Sequence, residues 1–475
     1  MSISIPNGAS GRSSHAFRLI RTSPEGRLTE RYLTVRFWSR DARCNAPQSC
    51  YRHRMMQGTG QTNADQRPAP GMGSRRVRHL LDVARGHFVD RGFDPVSIDA
   101  IARAAGVSKE TIYRHFPDKE ALFRAALDAA GEEFTARALA VHDRAPTASV
   151  ELAGLARAIA DSAYDQGLFS TLWVAVGVAH RMPDLATSLR DGQWQRLEPV
   201  REALEHFARD HGVSRPVALE LALDFGSLAV EGPALLMGFP APAAPERTVR
   251  ANRVAALFAQ GVAAGLRSGG ATVAGTRAVG GSAEGMAPHL RTLLEVSTNH
   301  FLESGFEGAN LDAIGVDARV GRGTLYRHFG SKAGLFAAAM RFSARACIEE
   351  IVPPPLPGHL DRAALTIFVE TALDNLVSVR SIGLHRAVVA QSRRDPALAR
   401  DVFAILRAPW LSSLGPWLAA LGLQDDPDWH ARQLLVLATR GNRLFAGAQP
   451  LGVTERHACA ARAVTILLDG FIAVT

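Results

Sequence analysis

"VSKETIYRHF" spans Val107–Phe116, and "VGRGTLYRHF" spans Val320–Phe329, a displacement of 213 residues. The displacement holds without a gap from His87–Leu127 to His300–Met340, where 19 of 41 positions are identical. Other positions exchange one apolar residue for another: Ile98 for Leu311, Ile112 for Leu325, Leu127 for Met340. A chain that repeats both a polar motif and the apolar positions beneath it must build the same core twice. "PDLA" at Pro183–Ala186 meets "PALA" at Pro396–Ala399 at the same displacement, so the duplicated unit extends well past the motif.

Local chemistry reads each motif as helical. Val77, Leu80, Leu81, Ala84 and Phe88 recur at the spacing of one helix face, which Gly92 can end. Ser97 supplies an N-cap for a short helix through Arg103, Gly106 a left-handed turn, and Ser108 the cap of the next helix, "KETIYRHF". Asp118 caps a longer helix that follows. Two short helices across a tight corner, flanked by longer ones, form a helix-turn-helix. The expected class is all-α: a tandem duplication of a helix-turn-helix DNA-binding domain followed by a helical regulatory domain. The boundaries fall at 74–127 and 289–340 for the two modules, and at 128–266 and 341–475 for the helical domains behind them. The Gly-rich stretch 267–288 reads as a flexible linker, and the Arg-rich residues 1–73 as a disordered extension that could also serve as a basic arm on phosphates.

The formal charge of +8 is unevenly spread, because residues 1–78 hold fourteen arginines against four acids and the remainder is slightly acidic. DNA contact therefore has to come from local patches of the folded part. A helix of this size fits the major groove, where base edges are distinguishable. Lys109, Thr111 and His115 are the groove-facing candidates, with Ile112 and Phe116 turned to the core. Tyr113, Ser108 and Lys119 are candidates for phosphate contact. Each has a plainer alternative: Tyr113 as surface packing, Lys119 as a solvated helix start, His115 bonded within the protein.

The second module changes Gly106 to Arg319, Ser108 to Gly321 and Lys109-Glu110 to Arg322-Gly323. A non-glycine in a left-handed turn costs about 1 kcal/mol, and an interior glycine about as much in helix propensity. A packed core can absorb both. Arg322, Thr324, Tyr326, His328 and Lys332 retain the polar pattern, so the second module either contacts DNA or survives as a structural remnant.

On these residues the chain resembles the TetR family of bacterial transcriptional regulators. "IARAAGVSKETIYRHFPDKEALF" at Ile101–Phe123 and "IGVDARVGRGTLYRHFGSKAGLF" at Ile314–Phe336 carry the resemblance over about 50 residues each. It implies a repressor, or in some members an activator, usually dimeric on a near-palindromic operator and modulated by a small molecule in the C-terminal helical domain. It also implies Ser108, Thr111, Tyr113, His115, Lys119, Thr324, Tyr326, His328 and Lys332 as DNA-facing positions. With two modules in one chain, the alternatives are an intramolecular pseudo-dimer and a homodimer with four modules.

For a small hydrophobic effector, Trp173, Phe207, Phe225 and Met237 are pocket candidates in the first helical domain, and Trp410, Trp417, Trp429 and Phe445 in the second. The competing reading is that these side chains complete cores. Scattered histidines without metal-ligand spacing, and Cys347 and Cys459 in apolar contexts, argue against an enzyme, a metal site or a cofactor. No apolar run reaches membrane length, and four cysteines form no framework, so a cytoplasmic, nucleoid-associated protein is expected. A helical protein-interaction scaffold, with one or both modules no longer binding DNA, is the alternative function.

Overall fold

The computed structural model describes residues 14–22, 28–36, 74–142, 148–165, 168–178, 182–231, 235–267, 272–275, 286–349, 351–440 and 450–474. They fall into two units, Met1–Gly71 and Met72–Thr475. In the first unit, strands β1 (Ser14–Thr22) and β2 (Leu28–Arg36) pair antiparallel, with Ser14 opposite Arg36 and Thr22 opposite Leu28. The composition of residues 1–73 predicts no regular structure there. "HAFRLIRT" and "LTERYLTVR" are nonetheless rich in the β-branched and aromatic residues that favour strands. The rest of 1–73 lies outside the described residues.

Among the described residues, the regular structure of the second unit is helical apart from one isolated bridge. Its first half contains α1 (Ser74–Arg91), α2 (Ile98–Ala105), α3 (Lys109–His115), α4 (Lys119–His142), α5 (Ala148–Asp165), α6 (Leu168–Val178), α7 (Pro183–Asp210), α8 (Leu219–Val230) and α9 (Ala244–Gln260). The second half contains α10 (Pro288–Gly308), α11 (Leu311–Asp317), α12 (Arg322–Phe329), α13 (Lys332–Ile348), α14 (Arg362–Leu376), α15 (Val379–Gln391), α16 (Pro396–Ala420), α17 (Pro427–Thr439) and α18 (Val453–Asp469). Among the described residues the two series run in the same order, and Ile98/Leu311, Lys109/Arg322, Lys119/Lys332 and Pro183/Pro396 each begin corresponding helices at the 213-residue displacement. The duplication therefore covers module and helical domain together.

Each module rests on a small aromatic core. Phe88, Phe93 and Phe123 meet at centroid distances of 5.0–5.6 Å, and Phe301, Phe306 and Phe336 repeat the cluster. The first core continues onto Val174, Ala175 and Val178 of α6, and α10 of the second module packs on α15 in the same way. The helical domains pack on one another through corresponding elements: α6 on α15, α8 on α17 and α9 on α18. At the crossing of α6 and α15 a Cβ placed on Gly177 would lie 3.3 Å from that of Ala390. These are equivalent positions of the duplication, and equivalents meet only at a local twofold axis.

The stretch read as a flexible linker is attached to the second half wherever it is described. Arg267 N–H donates to Leu421 (2.7 Å), and Val273 exchanges two backbone bonds with Leu356 (2.8 and 3.0 Å). Gly and Ser content suggests freedom, but a backbone that finds a pairing edge loses it.

Candidate nucleic-acid interface

The corner of the first module is built as its residues dictate. Ser97 accepts from Ala100 N–H, Gly106 closes α2 at φ +65°, and Ser108 accepts from Thr111 N–H at 3.2 Å. The Ser108 and Thr111 hydroxyls are themselves 3.0 Å apart. Ile112 is wholly buried and holds α3 against α2. Lys109, Glu110, Tyr113 and Arg114 are left facing outward, with Thr111 half-buried beside them. Lys109 is held by Asp99 of α2 at 3.1 Å and stands 6.0 Å above the Tyr113 ring. That hydrogen bond raises the ammonium above its usual range, while Glu110 is lowered by its own backbone N–H and by the Ser108 side chain.

The second module repeats this plan with weaker local chemistry. Asn310 caps α11, Arg319 occupies the left-handed corner at φ +56°, and Gly321 begins α12 with no side-chain cap. Arg322 pairs with Asp312 at 3.2 Å and lies 5.7 Å from the Tyr326 ring. Tyr113 is 44% exposed and Tyr326 42%, so both rings occupy the same outward place. Thr324 is half-buried beside Arg327, whose guanidinium is 3.5 Å from its hydroxyl. Asp99 and Asp312 are absent from the sequence-based candidates. Their identity across the duplication, ten residues before a base, was the available signal.

Three expected contact residues are placed otherwise. Lys119 turns its ammonium back onto the carbonyls of Phe93 (3.0 Å), Asp94 (3.2 Å) and Val96 (3.1 Å), with Phe93's ring beneath it at 4.4 Å. Lys332 does the same with the Glu307 carbonyl (3.0 Å) over Phe306. In both modules this lysine ties the start of the fourth helix to the turn after the first, because those carbonyls lack helical partners. His115 is the third: both ring nitrogens are enclosed and make no hydrogen bond. His328, its counterpart, is exposed.

The effector candidates are mostly core. Phe207 stacks on His211 at 4.1 Å, Phe225 packs on Phe258, Trp410 on Phe368, and Met237 is wholly buried. Trp417 is also buried and donates to the Pro357 carbonyl at 2.7 Å. Trp173 joins the halves, donating to Ser392 at 2.9 Å under Arg393. Trp429 borders a narrow cleft with Tyr164, Glu231, Arg247 and Arg250. Phe445 lies outside the described residues. Helical aromatics fill space first, which is why spacing alone does not mark a pocket.

Among the described residues no group of three or more His, Cys, Asp or Glu side chains could hold a metal, and no helix is long and apolar enough to cross a membrane. Burial raises the Cys347 thiol, as expected of a packed cysteine.

Two short helices presented outward on crossed supports, each backed by a helical body that packs on its own duplicate, define a double helix-turn-helix protein. Residues 80–126 and 293–339 match the bacterial regulatory proteins of the tetR family, and residues 363–471 match the AefR-like transcriptional repressor C-terminal domain. The two modules are thus tetR-family N-terminal regions in tandem, the second followed by the AefR-like C-terminal domain. It is 41% identical over 76 residues to the HTH-type transcriptional activator FasR of Mycolicibacterium smegmatis, covering 14% of this chain and 35% of that protein. It is 39% identical over 69 residues to the HTH-type transcriptional repressor Rv1474c of Mycobacterium tuberculosis, again covering 14% and 35%. The chain thus spans about a third of the length of either relative. A tetR-family transcriptional regulator from Streptomyces coelicolor aligns in structure at 27% identity over 40% of this chain and 82% of that one, with a TM-score of 0.31.

Proposed function

We propose that the protein is a sequence-specific DNA-binding transcriptional regulator, a repressor that carries both reading heads in one chain. Its partner is double-stranded DNA, met by α3 and α12. The observation that carries this reading is the outward strip Lys109–Tyr113 and its counterpart Arg322–Tyr326, each on a helix whose Ile112 or Leu325 is buried. Lys109 and Arg322 are paired with exposed carboxylates, which phosphate or a base edge can replace at little cost. Ser108, Thr111, Tyr113, Thr324, Tyr326 and His328 complete the reading surface. Lys119, Lys332 and His115 support it from behind.

Packing of α6, α8 and α9 on α15, α17 and α18 favours an intramolecular pseudo-dimer over a homodimer with four modules. The resemblance to the TetR family implies a small effector in the helical layer, where Trp429 borders a narrow cleft among the described residues.

Selection from a random duplex pool with the full-length chain tests the reading. A defined duplex should emerge, bound more weakly as salt rises. Tyr113→Phe should weaken it roughly fivefold through loss of one phosphate hydrogen bond, without changing the preferred bases. Light scattering should give one chain per complex. Equal affinity for all duplexes would overturn the proposal.

A further inference from the structure

We infer that the chain reads a two-part site whose halves differ in sequence, and that it fixes their order. The inference rests on the DNA-binding reading above. Two independent features carry it: the halves of the protein pair only as unlike partners, and the two reading helices present different chemistry.

The pairing is decided at Asp224 on α8. This carboxylate is wholly buried, receives Arg462 of α18 at 2.7 Å, and has Arg440 at 3.8 Å. In this layer the caps Glu231/Arg440 and Gly261/Gly470 correspond at a displacement of 209 residues, so the equivalents of Asp224, Arg440 and Arg462 are Gln433, Glu231 and Arg253. Two first halves facing each other would set Asp224 beside Glu231 as well as Arg253. Two second halves would leave Arg440 and Arg462 facing Gln433, with no carboxylate. The first arrangement brings like charges together and the second strands buried cations, whereas unlike halves set Asp224 between two guanidinium groups. Gln433, donating to Glu231 at 2.6 Å, is the counterpart of the Asp224–Arg440 contact across the local twofold, with a neutral amide in place of the carboxylate. Each complex therefore presents one head of each kind.

The heads differ where the N-terminal turn of a reading helix meets base edges. Ser108-Lys109-Glu110 in one head stands against Gly321-Arg322-Gly323 in the other. Arg322 is a planar fork suited to the O6 and N7 acceptors of guanine, while Lys109 is a point charge. Glu110 is exposed; its carboxylate accepts from the cytosine amino group and repels acceptor-rich edges. At Gly323 that carboxylate is missing, and a Cβ there would meet nothing within 4 Å, so a base can approach the backbone. Thr111 and Tyr113 match Thr324 and Tyr326. The half-sites thus share their flanks and differ at the one or two base pairs under 109–110 and 322–323, guanine being favoured beneath Arg322 and cytosine beneath Glu110.

Selection with the full-length protein should return two unlike half-sites in one order and spacing. Inverted repeats of either half should bind roughly tenfold more weakly, the usual cost of a mismatched base pair. Lys109→Arg/Glu110→Gly should shift the preference to an inverted repeat of the half-site read by the second head. Glu110→Gln, which keeps the size and helix propensity of the side chain, should relax the cytosine preference alone. A palindrome selected by the unaltered chain, or base preferences unmoved by either variant, would overturn this inference and leave the regulator reading standing. Selection of no sequence at all would overturn both.

Discussion

His385 should make this protein acid-labile in a way that one substitution removes. The side chain is wholly buried on α15, with Nδ1 2.6 Å from the Ser381 carbonyl and Nε2 3.0 Å from Nη1 of Arg407. Arg407 is itself 6% exposed and lies 3.6 Å from the Phe403 ring. A ring that donates from Nδ1 and accepts at Nε2 is neutral, and protonation would turn Nε2 against the guanidinium. Burial first, and the Arg407 charge second, lower His385 to about 3, while burial lowers Arg407 to about 9. Between about pH 3 and 6.5 the unfolded chain binds one more proton than the folded one, so stability falls as pH falls through that window. Each pH unit below 6.5 should cost about 1.4 kcal/mol, or about 2.7 kcal/mol by pH 4.5, levelling off near pH 3. Urea unfolding of the native chain and of His385→Gln, at about pH 7 and pH 4.5, isolates the effect, since Gln can still accept from Arg407 and other titrating groups are common to both. The variant should lose about 2–3 kcal/mol less than the native chain over that interval. Equal losses would show that His385 is not held neutral and that the buried pair is drawn wrongly.

Two substitutions in the modules test the supporting roles assigned above. Lys119→Met keeps an apolar stem over Phe93 but abandons three carbonyls, so thermal unfolding of the chain without DNA should show about 1–3 kcal/mol of destabilisation. A fall in duplex affinity with unchanged stability would return Lys119 to the phosphate-binding role. Arg319→Gly should stabilise the second module by about 0.5–1 kcal/mol, the relief of a left-handed non-glycine less the added chain entropy of glycine, read as a higher denaturation midpoint. Loss of stability would mean that the Arg319 side chain contributes contacts worth more than its strain.

The modules were legible because their information is local. Gly106, Ser97, Ser108 and Asp118 each act within four residues, and the structure places every one at its expected turn or cap. Even the defects of the second copy could be read: Arg319 sits at positive φ, and Gly321 caps nothing. Long polar side chains were not legible, since a lysine at a helix start satisfies a phosphate or a neighbouring turn equally well on sequence alone. Lys119 turned to the carbonyls 23 to 26 residues earlier, a contact that exists only once α1 and α4 are packed. Those pocket candidates that pack into cores were not legible for the same reason. Whether Phe225 lines a cavity or meets Phe258 depends on which helices become neighbours, and the 3.6-residue period carries no such information.

Duplication within one chain also changes what an interface is allowed to be. In a homodimer each residue on the surface must serve both sides, and a residue on the axis must tolerate its own copy. Here the axial positions still obey that restriction: Gly177 and Ala390 are both small because a Cβ–Cβ approach of 3.3 Å admits little else. Away from the axis the restriction is lifted, and the two copies have diverged into complementary partners, Asp224 on one side and Arg440 with Arg462 on the other. The connecting chain reinforces the choice, because Val262 bonds to Leu467, Arg267 to Leu421 and Val273 to Leu356. A covalent link raises the effective concentration of the unlike partner far above that of any second molecule. The one-sided charges then penalise the like pairings that remain. Affinity and exclusion act together, so the two heads can diverge in what they read without the chain ever presenting two of the same kind.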